Sequence, residues 1–497
     1  MPAKLSSKQT VAALDSRDRN AAPRPETNVA VVLLPTLISL QTISGLLSIF
    51  SLGLLAAMLF AAKPKRKYSI QWGPLTLFVA AAVMVMIRPE PTITLVFFGI
   101  VAVILCRIVV TVKAKSVIGS LIDGAGLYLL VNVVAYTAGL RSAGSSVRIL
   151  SSIEYRGFVR TIFPLSWGLD AVPTVASVYL AAIAFVILQT GTSRRLFRLA
   201  CVASAIVVLI LGASRAAIVP AFLLPAAILL FPAALRWIAQ VSTLTASIFP
   251  LVFPVASQFI ASVLQPLIEL VPGRDSSYQA TLSFSSRDYI WSRSLAYWWD
   301  YVTDFSDRVF GFGQGGQLHS GAWTAYGKVI SVVTRDPQNA SMHNAFLQQL
   351  FDGGLLGWLL LTASIFWASV RLSRRRSVLG VEGKSAIAAI SALMLSAISS
   401  VSVSPGASHQ VAFWLLLILV GIACQTPEPR GVEGGAITVS RRNSSADAVT
   451  DPTPAVPASA TTPASPGTTD RSGEAPLRSQ LRGANPRRGD ARRREAS

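Results

Sequence analysis

The chain has 497 residues, 52% hydrophobic and only 14% charged, with a formal net charge of +20. Its mean hydropathy of +0.54 is rarely reached by soluble globular domains, so composition excludes an ordinary soluble enzyme and points to a polytopic membrane protein. The positive excess lies in short clusters between apolar runs, which is how membrane proteins are oriented and not how nucleic acid is bound.

Residues 1–27 are polar and of mixed charge, and are expected to form a disordered cytoplasmic tail. The apolar run that follows is too long for the h-region of a cleavable signal peptide. A helix needs roughly 20 apolar residues to cross about 30 Å of hydrocarbon. Residues 28–62 hold enough for a hairpin of two spans pivoting near Gln41 and Gly45. Further runs lie at 69–87, 91–112, 117–139, 171–191, 198–213, 216–235, 240–268, 344–370, 384–403 and 409–425. This reading gives an all-α membrane domain over residues 28–425 with about twelve transmembrane helices.

Basic residues gather at Lys63, Lys65, Arg66 and Lys67, at Lys113 and Lys115, at Arg194, Arg195 and Arg198, and at Arg371, Arg374, Arg375 and Arg376. With twelve spans all four clusters fall on one side together with both termini, which is therefore expected to be cytoplasmic. Loops 140–170 and 269–343 then lie outside. The tail 426–497 is rich in Pro, Ala, Ser and Arg, cannot bury a core, and is expected to be disordered and cytoplasmic. Cys106, Cys201 and Cys424 fall in or beside apolar runs, without zinc or disulfide spacing, and read as small buried hydrophobes.

The loop 269–343 carries the polar chemistry. The spacing of Ile290, Trp291, Leu295, Trp298 and Trp299 predicts a short amphipathic helix on the outer membrane surface, its aromatic rings at headgroup depth. Arg287 would project from the start of that helix, where free N–H groups also favour an anion, or would pair with Asp288 or another loop acid. Arg293 lies further along the same segment. Gly311, Gly313, Gly315 and Gly316 form a turn that lacks the Gly-Lys-Ser/Thr of a P-loop and is read as letting the loop fold back over the membrane.

Ionisable groups inside or at the edge of the membrane region are functional hypotheses by default. Arg215, in Gly212-Ala213-Ser214-Arg215-Ala216, sits at a tight corner between two runs, either snorkelling to mark the turn or serving a ligand. His343 stands between the long loop and a long apolar run, where an imidazole can exchange a proton near neutral pH, although most single histidines are structural. His319 and His409 are weaker candidates, and Asp123 is the clearest midspan ionisable residue. Asp352 follows His343 by about two and a half helical turns, near the same face, where it could hold an arginine or orient the site.

Ser-Arg at the corner, Ser286-Arg287-Asp288-Tyr289-Ile290-Trp291, Gly311-Phe312-Gly313, and His343-Asn344-Ala345-Phe346-Leu347-Gln348-Gln349-Leu350-Phe351-Asp352-Gly353-Gly354-Leu355-Leu356-Gly357 together resemble the O-antigen ligase/polymerase family. The motifs span about residues 198–370. The resemblance implies a GT-C-like membrane glycosyltransferase whose large extracytoplasmic loop contains short helices. It would act without metal or cofactor on an undecaprenyl-diphosphate-linked glycan donor, with a glycan, lipid or protein as acceptor. It further implies diphosphate binding by Arg215 and Arg287, catalysis by His343, and supporting roles for Asp352, Asn344 and Arg293. The main rival is a polysaccharide or lipid transporter (flippase), which would be expected to show matched halves and midplane charges.

Overall fold

The computed structural model describes residues 28–62, 67–88, 93–141, 161–166, 168–187, 191–269, 287–327 and 341–426. The described residues are helical apart from turns and one isolated bridge between Ile70 and Gln425. The expected disorder of residues 1–27 and of the tail beyond Thr426 lies outside them, as do Lys63, Lys65 and Arg66 and most of loop 140–170.

Each apolar run contains a helix. In chain order these are α1 Val29–Ser39, α2 Gly45–Ala61, α3 Gly73–Ile87, α4 Ile93–Thr111, α5 Ala114–Thr137, α6 Ala171–Val186, α7 Thr192–Gly212, α8 Arg215–Leu230 and α9 Ile238–Glu269. Three short elements of the long loop follow: α10 Arg287–Tyr301, α11 Phe305–Phe310 and α12 Gly316–His319. The chain then forms α13 Ala345–Leu379, α14 Val381–Ala397 and α15 Val411–Cys424. Among the described residues, four stretches are long and apolar enough to cross a membrane: Thr94–Thr111, Ala114–Thr137, Arg194–Gly212 and Ala345–Leu379. Others, such as Ala171–Val186 and Val411–Cys424, are apolar but shorter; 16 residues rise only about 24 Å, less than the hydrocarbon core.

The first hairpin turns where the sequence suggests. Leu40–Thr42 form a 3₁₀ turn, Ser44 caps α2, and the Ser48 hydroxyl donates to Leu37 O at 2.9 Å. Helix α15 lies at the centre, with all of its residues buried. Its flanks are joined by small polar contacts: Ser364 Oγ donates to Pro74 O at 2.6 Å and Ser385 Oγ to Ala182 O at 2.8 Å. Such short side chains let helix backbones approach while satisfying their own hydroxyls. The periphery is apolar: Leu46 is 78% exposed, Phe50 72% and Ile210 68%. A broad apolar exterior on a polar-jointed interior suits lipid rather than water.

Antiparallel alternation gives the bundle two ends. At one, Arg371 Nε donates to Ala423 O at 2.7 Å, Gln425 Nε2 to Val112 O at 2.7 Å, and Gln71 N–H to Cys424 O at 2.9 Å. Near that end Asp123 takes Arg194 Nε at 2.8 Å on one oxygen and Arg198 Nε at 2.7 Å on the other. Arg198 is 3% exposed. Two of the three arginines expected to mark orientation at 194–198 therefore neutralise the midspan acid, because a buried carboxylate requires charge partners.

The long loop departs from expectation. Helix α10 does form, but Trp291 and Trp298 are 0% and 1% exposed instead of lying at headgroup depth. They enter a second core with Phe253, Tyr326, Met342, Leu347 and Phe351. The apolar stripe of α10 is covered by protein, and only Trp299 of the three tryptophans is exposed, at 61%.

Candidate functional site

At the opposite end of the bundle, polar contacts tie the Ser214–Arg215 corner to Arg287 through Asp170 and the segment before His343 to α10. A Cβ on Gly212 would stand 2.7 Å from Pro173 Cγ, so only glycine lets the end of α7 close on the start of α6. The chain reverses through Ala213 in the left-handed region (φ 44°), and Arg215 opens α8. The turn is held against Asp170, whose Oδ1 accepts from the buried Ser214 hydroxyl at 3.2 Å. The second oxygen, Oδ2, pairs with Arg287 Nη2 at 3.3 Å. Segment 161–166 is fixed beneath it: Thr161 N–H donates to Leu211 O at 3.0 Å and Leu165 N–H to Asn132 Oδ1 at 3.0 Å.

Asp170 precedes α6, and its carboxylate thus links the N-cap residue of α8, Ser214, to the guanidinium of the first residue of α10, Arg287. A helix N-terminus carries about half a positive charge. Arg215 and Arg287 are the first residues of α8 and α10. Both arginines are half-buried. The partner of Arg287 is Asp170, not the adjacent Asp288, whose carboxyl burial pushes above its ordinary value.

Trp291, one helical turn beyond Arg287, donates its indole N–H to Met342 O at 2.9 Å. This fixes the residue before His343 to the helix that carries Arg287. His343 is half-buried and holds a positive φ of 52°, one of two such non-glycine residues among those described. Side chains seldom adopt this region, histidine more readily than most, and strain of this kind concentrates at functional positions.

Asn344 is structural in its contacts. Its Oδ1 accepts from Phe346 N–H at 2.9 Å and Leu347 N–H at 2.8 Å, capping α13, and its Nδ2 donates to Ile398 O at 3.0 Å. Asp352 is fully buried and, among the described residues, holds no arginine: Oδ1 accepts from Gly316 N–H at 2.7 Å and Gln348 Nε2 at 2.8 Å, while Oδ2 lies against Gly406. Arg293 lies about 240° around α10 from Arg287 at about 100° per residue, exposed, its guanidinium 5.3 Å from the Tyr289 ring centroid. The structure does not bring it to Asp170. His319 is exposed on α12 and His409 precedes α15.

The glycine-rich turn meets a break in α13. Gly354 adopts φ 66°, ψ −171°, which interrupts the helix after Gly353 and frees the carbonyls before it. Phe312 N–H donates to Phe351 O and Gly313 N–H to Asp352 O, both at 2.8 Å. A Cβ on Gly311 would lie 2.6 Å from Asp352 O. The turn is therefore a backbone patch for a broken helix rather than a fold-back over a membrane surface. Arg88 completes it from α3, donating to Gly311 O at 2.9 Å with its guanidinium over Phe310 at 5.6 Å.

Two residues escape sequence reasoning. Asp170 sits where an acid normally caps the next helix, yet it makes no side-chain capping bond and turns to Ser214 and Arg287. Arg88 follows an apolar run, where an arginine reads as a boundary marker. No protein-family model, curated protein or solved structure matches this chain. Among the described residues no cluster of His, Cys, Asp and Glu is arranged to hold a metal ion. Fold and site define a helical bundle whose described residues include four helices long and apolar enough to cross a membrane, with an Arg287–Asp170 ion pair at one end.

Proposed function

We propose that this chain is an integral membrane glycosyltransferase of the O-antigen ligase/polymerase type. It moves a glycan from an undecaprenyl-diphosphate donor onto an acceptor hydroxyl at the outer face of the cytoplasmic membrane. In this reading about twelve helices span the bilayer in a GT-C-like arrangement, both termini are cytoplasmic, and the Asp170 end faces outward.

The observation that carries the reading is that Asp170, at the start of α6, joins Ser214 at the start of α8 to the Arg287 guanidinium, with Arg215 next to Ser214 in the chain. Positive helix ends and guanidinium groups are what a diphosphate seeks, and guanidinium binds phosphate oxygens through paired hydrogen bonds. The acceptor oxygen attacks the anomeric carbon while the bond to the diphosphate breaks and its electron pair leaves with phosphate. The arginines stabilise that charge, which counts for more at a poorly hydrated site than in water. The hydroxyl proton passes to the His343 imidazole.

A broken helix is a feature transporters share, and there the freed carbonyls line a cavity. Here the Phe351 and Asp352 carbonyls are occupied by Phe312 and Gly313 N–H groups, which favours a fixed scaffold. The test is incubation of purified protein in lipid nanodiscs with a defined undecaprenyl-diphosphate glycan and an acceptor glycan. Release of undecaprenyl diphosphate with formation of extended glycan supports the reading. Unreacted donor moved between leaflets of proteoliposomes supports the transporter instead.

A further inference from the structure

At the end of the bundle opposite the Asp170 site, a cavity of about 460 Å³ opens between the C-terminal ends of α6 and α8, the turn Pro232–Arg236 and the α13–α14 corner. Its size falls within the range of about 300–1,000 Å³ usual for small-molecule sites. Phe185, Ile228, Leu229 and Leu235 form an apolar wall, and the charged groups of the lining are Arg376 and Lys384.

The cavity continues onto an apolar flank. Leu229 lines it and is also 66% exposed, and beside it Leu230 is 73% exposed, Phe231 65% and Trp237 61%. Arg376 uses one donor on Ser373 O at 3.0 Å. The N-terminus of α14 opens at the same corner, after Gly380. One acid is close, Glu382 in the first turn of α14, so the corner keeps a positive balance against Arg376 and Lys384.

We infer that this cavity binds an anionic phospholipid, its headgroup phosphate on Arg376 and Lys384 and its acyl chains along the Leu229–Phe231 flank. The two cations offer charge-assisted hydrogen bonds to phosphate oxygens, and the apolar wall removes the glycerol and upper acyl carbons from water. Basic pockets between membrane helices take anionic headgroups by the same physics. A zwitterionic phosphatidylcholine would bring its own cation toward two others and is disfavoured. The site is independent of the glycosyltransferase reading and of any ligand at Asp170.

The experiment is native mass spectrometry of the full chain released from nanodiscs containing equal phosphatidylglycerol and phosphatidylcholine. Wild type should retain phosphatidylglycerol at least about tenfold over phosphatidylcholine. Each of Arg376→Gln and Lys384→Gln should weaken retention about fivefold, and the pair about 25-fold, from the usual contribution of a cation near a charged lipid surface. Arg293→Gln, an exposed cation elsewhere, should change nothing. If the double variant fails to fold, the single variants carry the test. Equal retention of both lipids, unchanged retention in the single variants, or displacement by free glycerol phosphate at millimolar concentration would overturn the assignment.

Discussion

Gly354→Ala should unfold the region on which the site rests, and its cost can be worked from the backbone. Gly354 holds φ 66°, ψ −171°, a region essentially closed to residues with a side chain, so alanine there costs about 1–3 kcal/mol in strain. Its Cβ would also overlap Val309 O and stand 2.6 Å from Gly311 N. Both atoms are backbone, so the turn has to move. Three hydrogen bonds cross that contact: Phe312 N–H to Phe351 O, Gly313 N–H to Asp352 O, and Gly316 N–H to Asp352 Oδ1. At about 1 kcal/mol net each they add about 3 kcal/mol. The sum, about 4–6 kcal/mol, is comparable with the whole stability of many domains. Urea or SDS titration of the purified variant in detergent, followed by tryptophan fluorescence, should show a midpoint far below wild type or no cooperative transition. A wild-type midpoint would refute the packing of the 311–316 turn into the helix break.

Asp123→Leu leaves Arg198 buried without its carboxylate and should cost about 3–5 kcal/mol, whereas the double change Asp123→Leu/Arg198→Met should recover most of it; thermal unfolding of the two variants decides. Asn344→Ala removes two capping bonds and one bond to Ile398 O and should destabilise by about 2 kcal/mol in the same titration, with residual activity scaling with the folded fraction. Asp170→Asn keeps the Ser214 contact but removes the charge paired with Arg287, and should tighten binding of undecaprenyl diphosphate several-fold in a microscale binding assay. Weaker binding would show that Asp170 holds Arg287 in place and does not compete for it.

Much of the helical layout was legible because membrane-length apolar runs carry a strong signal, and the turns near Gln41 and at Gly212 follow local chemistry, whereas the extension of α13 from residue 370 to Leu379 was not foreseen. Arg215, Arg287, His343 and Asp352 were singled out from motif spacing, and the ion pairs around them were not foreseen. Asp170 reaches Arg287 across 117 residues, and Asp123 reaches Arg198 across 75, distances over which sequence carries no pairing signal. The Trp291–Trp298 stripe was misplaced for a different reason: an amphipathic helix has the same pattern whether its apolar face meets lipid or protein. The glycine group 311–316 signalled a turn, but its contact with the helix break at Gly354 is visible only in three dimensions.

In the proposed function Arg215, Arg287 and His343 serve one reacting centre on a lipid diphosphate. The most direct measurement is the single-turnover release of undecaprenyl diphosphate by purified wild type and by Arg215→Ala, Arg287→Ala and His343→Ala, with Arg293→Ala as control. Each site variant should lose at least about a hundredfold in rate with its unfolding midpoint unchanged, and the control should match wild type. Wild-type rates in any of the three site variants, at equal folded concentration, would contradict the account.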